Sequence, residues 1–160
     1  MKISLLLLLI CSSFQLSAQI DTIRLYVTAG NVTMVDGLPI SSRSYSLNNE
    51  FVINSPIVVL EQNSTIYLRL INLDNIEHGL EIPGILSFGA ILPGDSTGLE
   101  VTLTNAGVFR YYDPSNFPYN SYMGLSGILH VKATTDETPY FYWDLSEHLI
   151  DWHYEIFLGN

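Results

Sequence analysis

FRYYDPSNFPYNSYMGLSGILHV, residues 109–131, reads as strand, loop, strand. VFRYYD (108–113) is rich in aromatic and branched residues, and GILHVKA (127–133) carries Ile, Leu and Val. The connection between them is crowded with Pro, Asn, Ser and Tyr, the residues of turns and loops. The same texture extends upstream. TIYLRLIN (65–72) alternates apolar and polar residues and is the clearest strand in the chain. Ile23, Leu25 and Val27 alternate with Arg24, Tyr26 and Thr28. FVIN (51–54), PIVVL (56–60) and GLEVTLT (98–104) read as further short strands. Asp36 to Pro39, Glu61 to Asn63, Pro83-Gly84 and Pro93-Gly94-Asp95 are turn signals, and Asn105-Ala106-Gly107 reads as a hairpin turn. Seven or more short strands at this spacing predict an all-β sandwich or barrel.

The ends differ from this middle. Lys2, the apolar run Leu5 to Ile10 and Ala18 before Gln19 predict a secretory signal peptide over 1–18, too short to span a bilayer. Lipid attachment at Cys11 is the weaker reading, because Ile10 stands where that signal carries a small residue. Cleavage removes Cys11, the sole cysteine of the 160 residues, and leaves no thiol for a disulfide, a nucleophile or a metal. It also removes Lys2, so five basic residues face sixteen acidic ones, a net charge of −11 against −10 for the whole chain. Such a surface repels phosphate, which excludes nucleic acid and anionic lipid as expected partners. No later apolar run is long enough for a membrane span. The expected location is secreted or periplasmic. After Ala133 a polar linker, TTDETP, leads into an aromatic tail, so residues 134–160 read as linker and amphipathic tail. Leu145, Leu149, Trp152 and Ile156 are three or four apart, which predicts a short helix starting near Ser146, capped by Asp144 or Ser146.

Residues 19–133 resemble a cupredoxin, or plastocyanin-like, domain, most closely the first domain of multicopper oxidases. The features that carry the resemblance are FVINSPIVVLEQNSTIYLRLIN, NIEHGLEIPG, ILPGDSTGLEVTLTNAGVFRYYD and MGLSGILHV, in that order, with YFYWDLSEH like the link to a second domain. The resemblance implies a Greek-key β-sandwich and copper chemistry. Of the two His-x-His pairs that family supplies, the first falls on Ile76-Glu77-His78, where only His78 remains, and the second on Tyr112-Asp113-Pro114, where neither does. Of a mononuclear copper site, His78 is the upstream histidine, the thiolate position falls near Asp113, the loop SNFPYNSY offers no second histidine, and Leu125 rather than Met123 takes the axial place. His78 is therefore the one remnant metal ligand, and no cofactor is expected, with copper as the only candidate.

The other candidates have simpler readings. His130 lies within a strand, and His148 and His153 are five apart, a poor chelating offset on a helix. Asp136-Glu137 lies in the linker. Asn31-Val32-Thr33 and Asn63-Ser64-Thr65 fit the glycosylation pattern but read as turn residues. Met123 with Tyr111, Tyr112, Tyr119 and Tyr122 forms an aromatic-rich loop suited to contacting a partner. No nucleophile elbow or phosphate-binding glycine loop occurs. Together these features predict an exported cupredoxin-like domain, non-catalytic on its own, that binds or assembles with other cupredoxin domains or a protein partner through the tyrosine-rich loop and tail. The alternative is a copper-binding component of a multicopper-oxidase-type enzyme working with further cupredoxin domains, and a stand-alone copper carrier is a third reading.

Overall fold

A computed structural model describes residues 20–135 in full, together with the backbone of 145–150 and 153–158. The strands are β1 (Asp21–Thr33), β2 (Pro39–Ser46), β3 (Ile57–Glu61), β4 (Thr65–Asn72), β5 (His78–Ile82), β6 (Leu86–Ile91), β7 (Ser96–Thr102), β8 (Gly107–Tyr112) and β9 (Ser126–Lys132). One turn of helix, α1 (Tyr119–Tyr122), lies in the connection before β9, and β10 (Leu145–Ile150) and β11 (His153–Leu158) follow. Two sheets form the sandwich, one in the order β2-β1-β4-β7 and the other β3-β9-β8-β5-β6.

Alternation builds the core. In β4, Ile66, Leu68 and Leu70 are buried while Tyr67 and Arg69 face out. Leu25 and Val27 of β1 meet them from the neighbouring strand, and Leu80, Ile82, Phe88, Tyr111, Leu129 and Val131 close over them from the other sheet. Each such side chain contributes roughly 1.5–3 kcal/mol by leaving water, an upper figure because unfolded chains already bury part of it.

Several local expectations differ from the structure. Residues 51–54 are not a strand, and a strand unmarked in the sequence, β2, pairs with β1 from Pro39 to Ser46. Asn105-Ala106-Gly107 is not a hairpin turn: β7 and β8 belong to different sheets, so this connection crosses the sandwich. Asn31 sits within β1, opposite Ser41, rather than in a turn, while Asn63 does turn the chain with φ 64°. Tyr111 is not in the loop but in β8, almost fully buried, its hydroxyl donating to the Pro56 carbonyl. The expected helix near Ser146 is instead a two-stranded hairpin, with Leu145 opposite Leu158 and Ile150 opposite His153. Asp144, Trp152 and Asp136-Glu137 lie outside the described residues, as does the expected signal peptide.

The topology collects three connections at one end of the sandwich: residues 73–77, 92–95 and 113–125. The extension of β1 and β2 beyond Val27 passes over this same end, where Ser42 and Arg43 reach the last of these connections.

Candidate functional site

His78 begins β5, and the pairing of β5 with β6 slips between His78 and Leu80, an irregularity that re-aims the first residue of the strand. The side chain is fully buried. Its Nδ1 lies 2.7 Å from Asp113 Oδ2 and its Nε2 lies 2.9 Å from Asp74 Oδ2. Both neighbours are carboxylates. Burial alone would push the Asp113 carboxyl up, but hydrogen bonds from His78, Gly79, Ser115 and Asn120 outweigh it and hold the group below the ordinary carboxylate range. Burial opposes Asp74 likewise, and hydrogen bonds from His78, Arg43 and Asn75 lower it. Each ring nitrogen therefore faces a carboxylate oxygen, and the two contacts fix the plane and direction of the ring.

Asp113, just past β8, is the hub and is also fully buried. Its Oδ1 accepts from the Gly79 and Ser115 N–H groups, each at 2.8 Å. Its Oδ2 accepts from His78 and, at 2.7 Å, from the Asn120 amide. The same Asn120 nitrogen reaches the Ser115 carbonyl at 2.6 Å. Asp74 accepts from Arg43 Nε at 2.5 Å and from the Asn75 N–H at 2.7 Å, as well as from His78. Basic and acidic side chains alternate along the row, Arg43, Asp74, His78, Asp113, so each buried carboxylate has a hydrogen-bonding partner from a basic side chain.

Glycine at 79 is required by contact. A Cβ there would stand 2.8 Å from the Phe88 carbonyl oxygen and 3.1 Å from the Pro114 ring. Its carbonyl accepts from the Tyr45 hydroxyl at 2.6 Å. Asn72, fully buried, ties the adjacent loops together: its amide donates to the Ile76 and Ile91 carbonyls, and its Oδ1 accepts from the Asp74 N–H.

The structure thus brings together His78, Asp113 and the connection searched for a second histidine, where Asn120 takes the inward place. Leu125 is joined to them through the backbone, its N–H donating to Asn120 and its carbonyl accepting from Asp113. Met123 is buried, and its carbonyl accepts from the Ser42 hydroxyl and the Arg43 N–H. His130 is elsewhere, in β9 between Val59 of β3 and Val108 of β8. His148 and His153 stand on opposite strands of the hairpin rather than along one helix. Asp74, Arg43 and Asn120 are the members that sequence reading missed. The signal available was Asp74 four residues before His78, both in a segment otherwise reading as a turn.

The donor set does not fit a copper centre. Both imidazole nitrogens are already engaged by carboxylate oxygens, and the described residues include no cysteine. Two atoms bound to one tetrahedral ion at about 2.0–2.2 Å stand ~3.3 Å apart, whereas His78 Nδ1 and Asp113 Oδ2 are 2.7 Å apart. Among the described residues, no three His, Cys, Asp or Glu side chains are arranged to hold a metal. The row does not fit a nucleophilic triad either, because there one ring nitrogen faces a hydroxyl, and here both face carboxylates.

No protein-family model matches the chain, and no curated protein matches it by sequence. Solved structures do. A copper nitrite reductase from Nitrosomonas europaea superposes with a TM-score of 0.69 at 18% identity, over 81% of this chain and 49% of that one. A multicopper oxidase gives 0.64 at 18%, over 74% and 44%. A copper-containing nitrite reductase from Thermus scotoductus gives 0.62 at 22%, over 74% and 29%. The chain therefore spans about half the length, or less, of the structures it matches. Two facing antiparallel-rich sheets, their crossings and these superpositions together make this an all-β, cupredoxin-like domain.

Proposed function

We propose that the chain is a non-catalytic cupredoxin-like module, acting outside the cytoplasm, that docks to another cupredoxin-like domain through the end of the sandwich bearing the tyrosine-rich loop. One observation carries the reading. The connections at that end expose Leu73, Ile76, Leu92, Phe117, Tyr119 and Tyr122, with Phe117 56% exposed. The connections at the opposite end, 62–64, 83–85 and 103–106, expose no large apolar side chain. Apolar and aromatic surface gathered on one face is the mark of a contact site. The buried row beneath it offers neither a free base nor a nucleophile nor a ligand set, which supports a role in binding rather than turnover. The superposition on a multicopper oxidase supports a partner of the same fold. The domain proposed to dock is residues 19–133, with 1–18 removed on export and 134–160 acting as linker and tail.

The test is photo-crosslinking in the native host. A photoreactive residue replaces Tyr119, Tyr122 or, as control, Tyr67 on the outer face of β4. Crosslinks from 119 and 122, but not 67, to a chain with a cupredoxin-like domain support the proposal. Equal labelling from all three, or products with unrelated folds only, overturn it.

The second reading is a copper-binding component of a multicopper-oxidase-type enzyme with His78 as its ligand, which the superpositions on copper enzymes favour. Metal analysis separates the two. Protein incubated with copper and desalted retains well under one equivalent on the docking reading and about one on the other. A His78→Ala variant that loses that equivalent would assign the ligand.

A further inference from the structure

We infer that the Arg43–Asp74–His78–Asp113 row, closed by Asn120, is a metal-independent lock that holds the apolar end face in one arrangement. The members come from both sheets and the connections between their strands: Arg43 from β2 in one sheet, Asp74 from the 73–77 connection, His78 from β5 in the other sheet, Asp113 from just past β8, and Asn120 from α1. The row therefore spans the mouth of the sandwich from sheet to sheet. A bound metal would hold the mouth in the same way, by drawing ligands from separate segments to one point. Here direct hydrogen bonds of 2.5–2.9 Å do it.

The exposed residues of the face hang from these anchors. Leu73 and Ile76 flank Asp74 and are fixed further by Asn72, whose amide holds the Ile76 carbonyl at 2.7 Å. Phe117 and Tyr119 lie between Asp113 and Asn120, two residues clamped to each other at 2.7 Å, so the stretch between them is a closed loop. Within that loop the Ser115 N–H is bound to Asp113, and Asn120, Tyr122 and Met123 donate to carbonyls four residues earlier. A face held this way meets a partner without first losing conformational freedom. That last step, the purpose of the lock, rests on the docking reading; the lock itself rests on the hydrogen bonds alone.

Hydrogen exchange of the full exported protein, read by mass spectrometry on peptides covering 73–79 and 113–125, tests it. In the wild type, exchange of both segments stays within twofold on adding copper or a strong chelator. Asp74→Ala, which frees Arg43 and His78 Nε2, and Arg43→Gln, a milder change, speed both segments at least tenfold while β4 amides stay protected. Should Asp74→Ala unfold the protein, Arg43→Gln alone decides. Tenfold slowing by copper, or unchanged exchange in Arg43→Gln, overturns the lock. Crosslinks that fail while exchange behaves as stated would sink the docking reading and leave the lock standing; crosslinks that persist with unaltered exchange would do the reverse.

Discussion

Replacing Asp113 with alanine removes a fully buried carboxylate that accepts four hydrogen bonds, from His78, Gly79, Ser115 and Asn120. Two of those donors are backbone N–H groups that cannot turn away, and one is a fully buried ring nitrogen. Each stranded donor costs about 1–3 kcal/mol, so the costs would sum to more than about 4 kcal/mol if nothing relaxed. They overlap, because water can enter the space left. We take about 4 kcal/mol as the expected loss, which lowers the Tm of a domain this size by roughly 12–20 °C. Asp113→Asn keeps the shape. Its amide oxygen still accepts from Gly79 and Ser115, and its NH2 can donate to His78 Nδ1 in the tautomer that leaves that nitrogen free to accept. Only the contact with the Asn120 amide becomes donor against donor, so the expected loss is about 2 kcal/mol. Urea unfolding at pH 7, followed by far- and near-ultraviolet circular dichroism, measures both. A loss below ~1 kcal/mol for alanine, or equal losses for the two variants, would refute the account of Asp113 as the hub.

Three further outcomes are expected. Asp74 and Asp113 both sit below the ordinary carboxylate range, so their contribution is present above the unfolded value of about 3.9 and is lost as pH falls through the folded ones; urea midpoints should hold from pH 7 to 5 and drop below pH 4, less steeply in Asp113→Asn. Gly124 has φ +107° and a Cβ there would stand 2.2 Å from the Arg43 carbonyl oxygen, so Gly124→Ala should cost about 2–4 kcal/mol in the same assay; a change under 1 would mean that the loop does not press on β2 as described. Asp113→Cys combined with Asn120→His places a thiolate and a second imidazole beside His78, with Asp74 already on its far nitrogen as an orienting group. The double variant should bind Cu(II) with the intense colour of thiolate ligation, and a folded but colourless product would mean that positions 78, 113 and 120 do not converge.

The sandwich was legible where alternation was clean. TIYLRLIN puts Ile66, Leu68 and Leu70 inward with no competing pattern, and His78 and Asp113 could be set side by side from the order of the segments around them. What escaped reading has physical causes. SSRSYS in β2 has almost no apolar signal, yet Ser42, Ser44 and Ser46 are buried, because hydrogen bonds such as Ser42 to the Met123 carbonyl and Thr28 to Ser44 stand in for hydrophobicity. Arg43 and Asp74 are 31 residues apart, and nothing local announces that they meet. Leu145 and Leu149, four apart, satisfy a helical spacing, but four is also an even number, so the same residues fit one face of a strand, and the structure forms strands. Asn105-Ala106-Gly107 has the chemistry of a tight turn whether the flanking strands pair with each other or part to different sheets; only the sheets decide.

The charged row follows from a requirement smaller than itself. Gly79 and Ser115 point two backbone N–H groups at one spot, the buried Oδ1 of Asp113. An apolar side chain at 113 would fill the space and leave both donors unmet, at about 1–3 kcal/mol each. A thiolate could accept both, and a metal would then balance its charge, but no thiol stands here. A carboxylate accepts both, and its second oxygen takes His78 Nδ1 as a partner. The far nitrogen of that ring meets Asp74, whose charge is matched by Arg43, 16% exposed at the edge where the row reaches solvent. Each residue in the row answers the demand created by the one before it, and it ends where water can take over. A substitution at the buried end should therefore propagate outward, while one at Arg43 should be the mildest of the set.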